Sequence, residues 1–335
     1  MMKESPRLKD GRIDLSLPRW DQSTFLGRVR HFASITDMRT AFTSNRTLLS
    51  AKELLNQYKL KQEPTGTTDE QIWRAKKLYE SAFHPDSGEL QNVIGRMSFQ
   101  VPGGMILTAG MLQFYKTNTS VIFWQWLNQS FNALVNYTNR NAASTVTNKQ
   151  IAFAYVSATT CALVTALGFK EIMGKRGNPI MKRFAPFIAV CAANFVNIPL
   201  SRQAELSDGV LLFSSDKQQI SESRLAAVKG IALVAISRVT MAAPGMLIMP
   251  VIMNHLEKKA SFMKYQRYHL LFQTFMIGCF LVFMVPVACG MFPQNNTISL
   301  KALEKYEPEK YKKAVEMCQR NGLPLPSHLY FNKGL

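Results

Sequence analysis

Residues 270–292 read LLFQTFMIGCFLVFMVPVACGMF, a run without one charged side chain. A helix that is apolar on every side must be surrounded, either by a large protein core or by lipid. About 20 such residues span the hydrocarbon core of a bilayer. The surrounding sequence decides for lipid. No Asp or Glu occurs anywhere in 90–170, and the next acid after Glu171 is Glu205. A soluble core of that extent would carry acidic surface residues. Further candidate spans fall at 101–118, 151–169, 184–200 and 230–252, the first and third of them short and containing Pro or Gly. Segment 120–138 is a sixth, polar candidate. The mean hydropathy of −0.05 hides all this, because the charges sit elsewhere.

The expected fold class is therefore all-α: a multi-pass helical membrane protein with about five transmembrane helices, one amide-rich membrane-associated helix and an N-terminal helical, water-facing region. Three stretches divide the chain: 1–100, polar and mainly helical; 101–292, membrane-spanning; and 293–335, a polar tail with a short charged helix around 299–320. In the first, TTDEQIWRAKKLYESAF (67–83) opens with Thr68 and has Gln71 three residues on, the pattern of a capping box. Ile72, Ala75, Leu78, Tyr79 and Ala82 form its apolar stripe.

A formal charge of +18 raises nucleic acid as a partner. The bases are dispersed, the aromatics lie in apolar runs and no nucleic-acid motif is present, so none is expected; basic flanks suit an anionic bilayer. The five cysteines include no CxxC pair and four stand in apolar segments, so free thiols are expected rather than disulfides, zinc or an iron–sulfur cluster. No cofactor or metal is implied. The opening MMKESPRLKDGRIDL contains Glu4, Asp10 and Asp14, which suits neither a signal peptide nor a mitochondrial presequence; any organelle address is expected to be internal.

Polar groups inside a membrane are expensive and each asks for a reason. FWQWLNQSFNALVNYTNRN (123–141) carries Gln125, Asn128, Gln129, Asn132, Asn136 and Asn139. On a helix these fall within an arc of roughly 100°, one amide stripe on a greasy rod. Amides offer donors and acceptors without net charge, so such a stripe serves either a zwitterion or helix–helix adhesion. Arg238 lies mid-way along an apolar run, a cation suited to a carboxylate. Lys229 is the other cation in the spans. Asn194 and Asn197, three apart before Pro199, share a helical face and form a second amide wall. Pro199, Pro244, Pro250 and Pro286, with Gly103, Gly104 and Gly245, are expected to interrupt several spans, as in transporters built from broken helices. In FHPDSGEL, His84, Pro85 and Asp86 make neither a closed metal site nor a triad; a turn that ends the preceding helix is expected. No nucleophile–base set or phosphate loop is present, so no enzyme is read.

PRWDQSTFLGR, SAFHPDSGE, IGRMSFQVPGGM, the amide-rich stretch, AANFVNIPL, ISRVTMAAPGM and the terminal YFNKGL together resemble the sideroflexin family from end to end, with LGRVRHF, MSFQVPGGM and VPVACG most like its second paralogue. Ser87 stands where the family usually has Thr, which keeps the hydroxyl. The resemblance implies a multi-pass protein of the mitochondrial inner membrane, usually drawn with five spans. It implies transport of small neutral amino acids, chiefly serine, for one-carbon metabolism, with links to iron and haem homeostasis and an older description as tricarboxylate carriers. A serine path would use Gln125, Asn128, Asn132 and Asn136 for the ammonium and hydroxyl and Arg238 for the carboxylate, with Asn194 and Asn197 facing them. The alternatives are a tricarboxylate carrier, which needs several convergent cations, and a membrane scaffold or assembly factor in which the amides only join helices. The residues name no protein partner.

Overall fold

The computed structural model describes residues 6–85, 87–139, 147–175, 179–321 and 324–334. Three amphipathic helices build the N-terminal region: α1 (Phe25–Ile35), α2 (Asn45–Lys59) and α3 (Asp69–Ala82). Each starts where a side-chain hydroxyl accepts an orphan backbone N–H: Thr24 from Gly27, Ser44 from Thr47 and Thr68 from Gln71. The capping box is complete in α3, since Gln71 also accepts the Thr68 N–H. Ile72, Ala75, Leu78 and Ala82 pack on Leu48, Ala51, Leu55 and Tyr58 of α2, with Tyr79 at the margin.

The apolar middle folds as α4 (Gln100–Gln113), α5 (Asn118–Thr138), α6 (Asn148–Lys175), a short α7 (Pro179–Lys182), α8 (Ala185–Ser201) and a short α9 (Gln203–Asp208). After a β-hairpin come α10 (Arg224–Leu256), a short α11 (Ala260–Met263) and α12 (His269–Gly290). By length and composition, Asn148–Met173, Arg224–Leu256 and Gln266–Gly290 can each cross a membrane, and Ala185–Ser201 is a shorter apolar helix. The candidate spans at 101–118 and 184–200 are thus helices of 14 and 17 residues, below the ~20 of a perpendicular crossing. Phe153 is 61% exposed and Phe283 71% exposed on helices whose opposite faces are buried, an arrangement that lipid makes favourable.

Small residues set the helix spacings. On α6, Ala154, Ala158, Ala162 and Ala166 recur every fourth residue, all buried, and α8 answers with buried Ala185, Ala189 and Ala193. This lets the two backbones approach closely. A Cβ on Gly103 would lie 2.6 Å from the Phe131 ring and one on Gly110 2.3 Å from Trp124, so α4 accepts the aromatic side chains of α5 only because both positions are glycine.

The helix breaks expected at the prolines are absent. Pro199, Pro244, Pro250 and Pro286 all lie inside continuous helices. A proline removes one backbone donor, and packed neighbours hold the axis across the gap.

A feature the sequence did not announce is a small antiparallel sheet, ordered β2-β1-β4-β3. The hairpin β1 (Val210–Phe213) and β2 (Gln219–Ser223) meets β3 (Asn295–Ser299) and β4 (His328–Asn332) through the single pairing Phe213↔Tyr330. Helices α13 (Leu300–Tyr306) and α14 (Pro308–Arg320) cover it, burying Leu212, Ile220, Leu303, Cys318, Leu329 and Phe331. The charged helix expected at 299–320 is thus two helices, parted at Glu307 where Pro308 begins the second. Glu307 also accepts from the Ser223 hydroxyl and, at 2.9 Å, from the Arg224 N–H, tying the tail to the start of α10. At the far end of α12, α1 lies so close that a Cβ on Gly290 would be 3.0 Å from the Val29 nitrogen.

Candidate functional site

Three apolar clusters fix how the helices line up. Val121 of α5 packs with Ala166 of α6 and Ala189 of α8. Trp124 packs with Met111 of α4, Val190 of α8 and Met246 of α10. Further along, Ile198 of α8 meets Ile231, Val234 and Ala235 of α10. Helices α8 and α10 are therefore antiparallel, and Asn194 and Arg238 lie between the same two anchor clusters, at one level. Starting from Trp124, the amides of α5 run towards that level.

One direct contact joins the two sets. Arg238 Nη2 donates to Asn136 Oδ1 at 3.2 Å, across 102 positions of sequence. The guanidinium is half-buried and has no carboxylate partner among the described residues. Gln125, 1% exposed, and Asn128 are buried, and Gln125 Oε1 and Asn128 Nδ2 lack a hydrogen-bond partner. The same holds for Ser237 Oγ, next to Arg238, and for Gln273 Oε1 on α12. A buried polar atom left unpaired costs about 1–3 kcal/mol, and folds keep such atoms where water or a ligand meets them.

The remaining expected residues are placed as follows. Asn132 Nδ2 donates to the Asn128 carbonyl of its own helix at 3.0 Å, leaving its oxygen uncommitted. Asn194 and Asn197 are both buried on α8. Asn139, the last of the stripe, turns away: it bonds Gln91 and the Gly95 carbonyl and fastens α5 to the loop before α4. Lys229 also points away, its ammonium on the Thr297 carbonyl of β3 at 2.7 Å. His84 is buried in the turn after α3, where its N–H donates to the Glu89 carbonyl and its carbonyl accepts from Gly88, at a φ of +65° that favours glycine. Pro85 is exposed in the same turn, and Asp86 lies outside the described residues. An antiparallel bridge between Phe83 and Leu90 closes the loop. Ser237 and Gln273 were missed in the sequence; Gln273 had a signal, being the lone amide in the most apolar run.

The arrangement offers neutral donors and acceptors beside the Arg238 guanidinium, in a low-dielectric bundle. That suits a small molecule carrying a carboxylate and several hydrogen-bonding groups.

The family model for sideroflexins matches residues 14–335. Sideroflexin-2 of Bos taurus is 53% identical to the chain, over 98% of this chain and 99% of its own. Human sideroflexin-2 is 52% identical over 96% and 98%, and human sideroflexin-1 is 45% identical over the same shares. No solved structure matches the chain. A family match that leaves out only the first residues, with relatives more than half identical along nearly their whole length, means that this membrane-helix chain belongs to the sideroflexin family.

Proposed function

We propose that this protein is a carrier, not an enzyme, that moves small neutral amino acids, serine first among them, across the mitochondrial inner membrane in support of one-carbon metabolism. The observation that carries the reading is the Asn136–Arg238 contact beside buried amides whose polar atoms are unpaired. A guanidinium with no carboxylate partner among the described residues is ready for the carboxylate of an amino acid. Gln125, Asn128 and Asn132 offer oxygens to an ammonium, and the Asn128 amide NH₂ and Ser237 suit a hydroxyl. Asn194 and Asn197, both buried on α8, are assigned to the opposite wall. Family membership supports a carrier, while the choice of serine and of compartment rests on the resemblance and on this chemistry.

Labelled L-serine uptake into liposomes containing the purified protein tests it, against protein-free liposomes. Uptake that saturates and is competed by unlabelled serine is expected. No uptake by folded, inserted protein contradicts the proposal.

A further inference from the structure

The C-terminus brings a cation into the interior that no span contains. Lys333, just past β4, is 2% exposed and ranks among the largest fully buried side chains. Its backbone is held on three sides: the N–H donates to the Gln294 carbonyl at 2.9 Å, the carbonyl accepts from Arg202 Nη1 at 2.9 Å, and a Cβ on Gly230 of α10 would lie 3.3 Å from that carbonyl. Among the described residues its ammonium has one acceptor, the Gly334 carbonyl at 3.2 Å, and no carboxylate. An ammonium carries three donors, so two remain to be met.

Other cations gather at the same place. Arg28 of α1 is buried with its Nε on the Gly290 carbonyl at 2.8 Å, and its other contacts, Gln22 and Ser23, are also carbonyls. The thiol of Cys289, next to Gly290, lies within charge range of both Lys333 and Arg238. Lys333 lies within range of Arg202 and Arg28, and Arg238 within range of Arg202. Among the described residues, the only acid bonded to any of these groups is Glu205, which pairs with Arg202. Burial, ahead of the guanidinium charges, holds the Lys333 ammonium below the usual lysine range. The C-terminal end of α12 compensates part of this charge. Desolvating several cations around one carboxylate still leaves a large uncompensated positive potential.

We propose that Lys333, seated by Arg202 and Gly230, completes with Arg28 a buried anion site that takes an oxyanion, a carboxylate or a phosphate. The site stands on its own geometry and does not depend on serine being the cargo. The tail strand is then part of the binding machinery, and residues from α1 and the C-terminal tail share one ligand.

The test uses full-length protein in nanodiscs of phosphatidylcholine, titrated with inorganic phosphate and, separately, with succinate, at ionic strength held constant with sodium chloride. A saturable rise in melting temperature of a few degrees is expected. Lys333→Gln should abolish the rise and Lys333→Arg should keep most of it. Repeating the titration in discs containing phosphatidylglycerol separates the sources. If the lipid alone gives the Lys333-dependent rise and added phosphate gives no more, the oxyanion is a headgroup; if soluble anions are still needed, it is a solute. Wild-type protein that gains no stability from either anion or from the anionic lipid overturns the proposal, whatever the variants do, and so does a rise that Lys333→Gln leaves intact.

Discussion

Two contacts within the bundle solve the problem of joining helices in opposite ways. Between α6 and α8, buried alanines every fourth residue bring two smooth faces together. Between α5 and α10, Asn136 meets Arg238 in a setting of buried amides, some of whose atoms find no partner. In lipid, close packing of small residues suffices for association, and interhelical hydrogen bonds add only about 0.6 kcal/mol on average. A bundle already fastened by its alanines gains little from an amide stripe used as glue, and the unpaired atoms make it a poor one. The difference favours the proposal that the polar contact between α5 and α10 serves a ligand over its use as glue.

Mutations should separate the two contacts. The largest effect on transport is expected from Arg238→Gln, which removes the carboxylate partner: serine uptake should fall roughly a hundredfold, as for loss of about 2–3 kcal/mol of charge-assisted hydrogen bonding, while the melting temperature holds or rises. Ala162→Leu should do the reverse. Forcing a larger side chain into the fully buried alanine face costs about 1–3 kcal/mol of stability, seen as a lower melting temperature, with uptake per folded molecule nearly unchanged. Equal losses of uptake from the two variants, each corrected for folded protein, would erase the distinction between the contacts. Asn132→Leu should be milder, reducing uptake up to about tenfold (~1.4 kcal/mol) without hindering insertion; normal uptake by the well-expressed variant would remove Asn132 from the path.

The smallest effect concerns the water-facing region. His31 lines a cavity of about 170 Å³ with Trp20, Trp73, Lys76 and Glu80. Burial, aided by the Lys76 charge, pulls its imidazole down to about 4. The unfolded chain protonates His31 near 6.5, so between those values it binds more protons than the folded chain, and stability is lost as pH falls. Glu80, pushed up by burial, works the other way: its folded form takes a proton first, so stability is gained as pH falls. A modest net drop in melting temperature from pH 7 to pH 4.5 is expected, shrinking in His31→Gln, with serine uptake at pH 7 unaffected.

What could be read beforehand follows from how local each signal is. Lipid imposes its demand on every residue of a span, so hydropathy alone marks α6, α10 and α12. The capping box at Thr68 and Gln71 needs only four consecutive residues. The amide stripe needs only helical geometry, although Asn139 shows its limit, since a loop claims the last member. The sheet was hidden because its strands are four or five residues long and join residues over a hundred positions apart, at Phe213 and Tyr330. Lys333 in a polar tail gave no hint of burial, because its seat is made by Gln294, Arg202 and Gly230 from three other segments. The prolines misled for a related reason: local chemistry predicts a break, and neighbouring helices decide whether one occurs.

Solvent access along α5 and α6 tests the central claim most directly. Single cysteines would be placed at Gln125, Asn128 and Asn132 and, for contrast, at Ala158 and Ala162, in a background with the five native cysteines replaced. Each would be exposed to a charged, membrane-impermeant thiol reagent in sealed proteoliposomes. If the stripe lines a path, the α5 positions react and L-serine slows the reaction, while the α6 positions stay inert. If all five positions are inert, the amides are packing and the account of a substrate path is wrong.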